Sequence, residues 1–218
     1  MKVFKFGGAS VKDTAGVKNL SSIVHQQQGQ LIVVVSAMGK TTNLLETLCN
    51  AYFHQDPKAT AIMKELKDFH LNIVNSLFPL NDPVYKHLEE LFTNLENILA
   101  SESSLCYDYE YDRIICFGEL ISTTIISDYL KMEGIENQFI DIRKFLKTDQ
   151  NYRNANIDLE LSEQLCKEAF DFKASSIFVT QGFIAGTRTN QTTTLGREGS
   201  DYTAALLANL LNAENVTI

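Results

Sequence analysis

The chain opens MKVFKFGGAS, and no other stretch limits its fold so tightly. Val3, Phe4 and Phe6 form a short apolar run that reads as a strand buried in a sheet. Lys5 lies inside that run, where an ammonium is costly unless an anion meets it. The run breaks at Gly7-Gly8, where the backbone can approach a ligand with N–H groups free to point at it. Ser10 with Asp13 three residues on is a capping-box pattern, which predicts a helix beginning next door. Strand, glycine turn, cation and helix N-terminus together describe an anion site, most simply for phosphate. Alone, so short a motif favours a plainer reading, a strand ending in a tight turn with a snorkelling lysine.

The rest of the chain supplies the context. Residues 31–35 and 177–180 are two further apolar runs, and 138–142 is a weaker one. Each precedes small or polar residues and then a helical pattern, the mark of an α/β sheet with helices on its faces. Ligands of such sheets lie beyond the carboxyl ends of the strands. Lys5-Phe6-Gly7-Gly8, Ser36-Ala37-Met38-Gly39 and Gln181-Gly182-Phe183 all fall at such ends. The middle differs. Ile62, Leu66, Phe69, Ile73 and Leu77 step by three and four, as do Val84, Leu88, Leu91, Leu95 and Ile98. Leu80-Asn81-Asp82-Pro83 separates them, so two antiparallel helices are expected, within a helical insertion at about residues 56–104.

At 218 residues the chain can bury one large core or two small ones, and a net charge of −8 argues against nucleic acid or anionic membrane as a main partner. Cys49, Cys106, Cys116 and Cys166 lack metal-ligand spacing, so no metal site is predicted and they read as reduced core residues of a cytoplasmic protein. No signal peptide or membrane-length apolar run is present in the sequence. From Ile114 to Ser127 Glu119 is the only charged residue, strained unless a cation meets it, whether a ligand ammonium or a lysine or arginine of the protein. Thr42 and the pair Ser200-Asp201 read by default as helix caps, and Phe183 as a core aromatic. His25, His54, His70 and His87 fall in or near helices, and none is placed as a base.

Lys-Phe-Gly-Gly-x-Ser at the start and Thr-Thr-Leu-Gly-Arg-x-Gly-Ser-Asp near residue 200 together resemble the aspartokinases, within the amino-acid-kinase superfamily. Residues 35–45, Gly118-Glu119, Asp141-Ile142-Arg143 and Gln181-Gly182-Phe183-Ile184 extend the resemblance in order along the whole chain. It implies a three-layer α/β/α, mostly parallel sheet, with the helical insertion covering the substrate site. The implied reaction transfers the γ-phosphoryl group of ATP, carried with Mg2+ held mainly by ATP phosphates, to the β-carboxylate of L-aspartate. That is the first step toward lysine, threonine and methionine. Lys5 and Asp201 would be catalytic, while Lys5, Gly7, Gly8 and Ser10 would hold phosphate. Ser36, Thr42, Glu119, Phe183, Arg197 and Ser200 would hold aspartate, with Glu119 against its ammonium group and Arg197 suited to bidentate recognition of a carboxylate. Glu198 stands where many relatives have a glycine, which leaves two orientations open, toward the clamp or toward solvent.

The last residues, Val216 to Ile218, read as a strand cut short, so a fragment or an unusually short family member is expected. Residues 1–218 would then be part of a catalytic domain. The resemblance places adenine- and ribose-binding segments, a second phosphate lysine and regulatory domains past Ile218, implying a homo-oligomer for the full-length protein and weak or absent activity for these residues alone. Two other readings remain at this level: a sibling kinase for another carboxylate, such as acetylglutamate, and a non-catalytic binding or assembly module.

Overall fold

A computed structural model describes residues 1–218. Five parallel strands form the central sheet in the order β3 (Gln138–Ile140), β5 (Ile177–Gln181), β2 (Leu31–Val35), β1 (Lys2–Phe6) and β8 (Asn215–Thr217). Phe4 lies opposite Val33 on one side and Thr217 on the other, and Val33 opposite Val179. Every residue of β2 is buried, as a strand with helices on both faces requires. Helix α6 (Phe117–Met132) covers β2, β3 and β5, with α1 (Thr14–His25) beside it. Helix α8 (Gly199–Leu210) covers β1, β2 and β8 from the other face, with α7 (Leu159–Ala169) alongside. The expected α/β/α layering is therefore the observed architecture.

The two amphipathic patterns of the middle form α3 (Lys58–Leu77) and α4 (Val84–Ala100). Lys67 pairs with Glu96, and Tyr85 donates to Asn75, so the helices run antiparallel. Helix α3 packs on α2 (Thr41–Phe53) and α4 on α6, which seats the hairpin against helices rather than the sheet.

Several local expectations are overturned. Asp13, not Ser10, caps α1, its carboxylate accepting from the Gly16 N–H at 2.8 Å. Ser10 instead closes a turn on Gly7, its N–H donating to the Gly7 carbonyl at 2.9 Å, and it is exposed. Thr42 caps nothing, because α2 already begins at Thr41 after Lys40. Ser200-Asp201 likewise lies inside α8, which Glu198 precedes in the left-handed region at φ 57°. The apolar stretch around Glu119 is two helices, α5 (Tyr107–Ile115) and α6, parted at Cys116. The weak run 138–142 stops as a strand at Ile140, since Asp141 caps a 3-10 turn by accepting from the Arg143 N–H. Cys106 is exposed, while the other three free cysteines are buried as expected. A second sheet, β4 (Lys147–Thr148), β6 (Ile184–Thr187) and β7 (Thr192–Thr194), has no counterpart among the predicted strands. Its strands are only two to four residues long, and β7 is all threonine, so none stands out as an apolar run.

Candidate active site

The carboxyl ends of β1, β2 and β5 meet at one edge of the sheet. Lys5 emerges there with its side chain 11% exposed, its Nζ 2.6 Å from Asp201 Oδ1 in the first turn of α8. The pair is an ion pair without hydrogen-bond alignment. A Cβ on Gly7 would stand 3.4 Å from the same ammonium, so the glycine turn lies directly against it. Gly8 admits no side chain, for its Cβ would fall 2.6 Å from the Ala37 carbonyl oxygen. That contact draws the turn after β1 onto the turn after β2, where the Gly39 N–H donates to the Gly8 carbonyl at 2.9 Å. Ser10 stands outside this cluster, exposed on the turn.

Glu119 reaches the same edge from the first turn of α6. It is 3% exposed, and Oε1 accepts from the Ala37 N–H at 3.2 Å, while Oε2 is buried without a partner. Burial pushes the carboxyl up to about 8, against which the Ala37 amide and its own backbone N–H work only partly. No lysine, arginine or histidine pairs with it, so the alternative of a partner cation within the protein is not what the structure holds. Ser36 joins through its backbone, its carbonyl accepting from Ser122 Oγ at 2.7 Å. Gln181 braces the opposite side, donating to Thr123 Oγ1 at 2.9 Å and accepting from the Ile142 N–H at 2.9 Å. Thr42 is half-buried at the start of α2.

The third wall comes from β5 and α8. A Cβ on Gly182 would lie 2.5 Å from Ser200 Cβ, so bare backbone lets the two elements touch. Phe183 follows at φ 68°, half-buried, its N–H donating to Thr203 Oγ1 at 3.0 Å. Ser200 is buried. Arg197 is not brought in. Its side chain is 94% exposed, and its nearest acid is Glu198 at 3.8 Å, itself 73% exposed. Lys5, Gly7, Gly8, Ser36, Glu119, Gly182, Ser200 and Asp201 thus converge, with Arg197 at the rim turned to solvent.

Two supporting groups, Thr203 and Asp112, are not foreseen from the sequence, and Gln181 enters there only as part of a strand-end motif, without a role of its own. Asp112 of α5 is fully buried and accepts from the Thr194 N–H at 2.9 Å, the Thr194 hydroxyl at 2.7 Å and the Arg153 N–H at 3.0 Å. Desolvation pushes it up to about 6, against the pull of those three donors. A polar groove of about 650 Å³ between α1 and α6, lined by Lys18, His25, Tyr129 and Glu133 among others, holds none of the predicted site residues.

A profile of the amino acid kinase family matches residues 1–218. The chain belongs to the amino acid kinase family. This amino acid kinase is 32% identical over 219 residues to lysine-sensitive aspartokinase 3 of Escherichia coli (strain K12), across 99% of this chain and 48% of that protein. The structure of E. coli aspartokinase III in complex with aspartate and ADP (R-state) superposes with a TM-score of 0.90 at 30% identity, covering 99% of this chain and 48% of that one. Its complex with lysine and aspartate (T-state) gives a TM-score of 0.91 at 29% identity over the same shares. The chain spans about half the length of the curated relatives it matches.

Proposed function

We propose that this amino acid kinase is the aspartate-binding and phosphate-binding part of an aspartate kinase. The observation that carries the reading is Glu119, a buried carboxyl group with one oxygen unpartnered and no cation beside it. Such a group is satisfied by a ligand ammonium, which an unmodified amino acid has and an acetylated one lacks. The aspartate and ADP named for the E. coli relative support the same pair of ligands here.

In this reading the β-carboxylate of L-aspartate, already an anion at neutral pH, attacks the γ-phosphorus of ATP. A P–O bond forms to the carboxylate as the bond to the ADP oxygen breaks, giving 4-phospho-L-aspartate without a covalent enzyme intermediate. Lys5 Nζ, aimed by Asp201, neutralises charge on the transferring phosphoryl oxygens, and the Gly7 and Gly8 amides cradle them. Ser10 extends that phosphate turn. Ser36, Thr42, Phe183 and Ser200 line the acceptor site. Arg197, held only by its 3.8 Å contact with Glu198, turns inward to clamp a carboxylate of the amino acid. The glycine turn and the Lys5 ammonium fit a polyphosphate, whose oxygens would hold Mg2+ in the main, and the ion would screen their charge. The full-length protein is read as a cytoplasmic homo-oligomer feeding lysine, threonine and methionine synthesis.

The test is MgATP-dependent formation of a hydroxylamine-trappable acyl phosphate by the full-length protein. L-aspartate is expected to give product and N-acetyl-L-glutamate none. Equal turnover of the acetylated acceptor would overturn the reading.

A further inference from the structure

The loop that carries Arg197 leaves β7 at Thr194 and enters α8 at Gly199. Thr194 is held from two sides. Its carbonyl accepts from the Ala155 N–H at 3.0 Å, and its N–H and hydroxyl both donate to Asp112. Asp112 Oδ2 accepts the Thr194 N–H and the Arg153 N–H together, while Oδ1 takes the hydroxyl. One buried carboxylate thus ties α5 to the loop at Arg153 and to the end of β7 at Thr194, 41 and 82 residues away in the chain. The Arg153 loop and the loop that follows β7 touch again further on, where a Cβ on Gly196 would lie 2.5 Å from Asn154 Oδ1. Arg153 itself sits at φ 66°, a backbone state that needs support from its surroundings, and its guanidinium lies 4.3 Å over the Tyr111 ring and pairs with Asp108. Asp112 has no cation of its own. Its three partners are the neutral donors that set where residues 195–198 begin.

We infer that Asp112 is a positioning residue for the acceptor, fixing the base of the Leu195–Glu198 loop so that Arg197 can reach the amino-acid substrate. This rests on the functional reading above. The hydrogen bonds of Asp112 go to Thr194 and Arg153, so its hold is on the acceptor wall, not on the Gly7-Gly8 turn. Losing it should therefore move one Michaelis constant and spare the other.

The test compares full-length Asp112→Ala, Asp112→Asn and Thr194→Val with wild type. Asp112→Ala is expected to raise the KM for L-aspartate about tenfold or more and to leave that for MgATP within about twofold, as loss of buried charged-group hydrogen bonds would. Asp112→Asn is expected to recover most of the loss. Its amide oxygen can take both backbone N–H groups and its NH2 can donate to the Thr194 hydroxyl oxygen. Thr194→Val should fall between them. A merely structural role would lower kcat with both KM values unchanged, or raise both alike, and either result overturns the inference. Hydrogen exchange decides the point independently of activity: residues 194–198 should lose protection in Asp112→Ala and in Thr194→Val while the Lys5–Gly8 segment keeps its own. Unchanged protection at 194–198 overturns the anchoring. Failure of wild type to phosphorylate aspartate would count against the functional reading and leave the exchange result to judge Asp112.

Discussion

A carboxyl group buried without a counterion reports on whatever positive charge comes to it. Glu119 is such a group, pushed up to about 8 from an ordinary 4.5 by burial. The sign follows directly. Between those values the folded, ligand-free protein keeps a proton that the unfolded chain releases, so this residue's contribution to stability falls as pH rises from about 4.5 to about 8. An ammonium ligand needs the carboxylate, so binding near neutral pH expels roughly one proton. L-aspartate affinity should climb about tenfold per pH unit up to about pH 8 and then level off. Glu119→Gln should flatten that profile and weaken binding by about 30-fold or more, the loss expected when one partner of a buried charge pair goes. Calorimetry in buffers of different ionisation enthalpy reads both effects, and pH-independent binding by wild type would refute them. At this scale legibility depends on isolation. Glu119 is visible in the sequence because no other charge lies between residues 114 and 127. Asp112 is hidden among Asp108, Glu110 and Arg113, and the partners that give it meaning arrive from residues 153 and 194.

Elements meet at this site through missing side chains. The end of β5 and the first turn of α8 touch at Gly182 and Ser200, where an added methyl would sit 2.7 Å from Ser200 Cα as well as against its Cβ. Backbone cannot yield as a flexible side chain does, so Gly182→Ala should cost about 1–3 kcal/mol of stability. The same displacement should raise the KM for the acceptor, because Ser200 and Asp201 share the turn that would be pushed away. Urea denaturation and initial rates check the two effects, and an unchanged midpoint would show the contact to be slack. Element existence was readable wherever apolar period was strong, as in β1, β2, β5, α3 and α4. Element starts were misread at Ser10, Thr42 and Ser200 for one reason. Hydroxyl and carboxylate residues suit both a cap and a turn, and only the backbone path chooses. Glu198 illustrates this: its left-handed φ of 57° sets the start of α8, although nothing about a glutamate announces that conformation. Strand β6 holds only two apolar residues before a glycine and β7 is all threonine, so neither makes a sustained apolar run and the sheet that presents Thr194 could not be foreseen.

For the molecule as a whole, the site exists only when β1, β2, β5, α6 and α8 are assembled together. A ligand spanning that junction binds the folded state alone and stabilises all of it. L-aspartate at about a hundred times its dissociation constant should add about 2.7 kcal/mol and raise the thermal midpoint by about 5–10 °C. N-acetyl-L-aspartate at equal concentration should shift it by less than about 1 °C, given a buried acid with no cation to meet. A scanning fluorimetry series compares them, and equal shifts would contradict the role given to Glu119. The layered architecture was legible from strand–helix alternation, but the placing of β5 beside β2 and of β8 beside β1 was not, since order in a parallel sheet is settled by crossovers. That order has a temporal consequence. The earliest of these strands to be synthesised, β1, is interior, with Lys2 to Phe4 flanked by Asn215 to Thr217 on its outer side. A nascent chain can zip β1 to β2 early, yet must hold the other flank of β1 unmated until some 200 further residues have emerged. Val3 and Phe4 are then a sticky apolar margin awaiting a late arrival, and translation pauses inside that interval are when this protein is most exposed to aggregation and to chaperone capture.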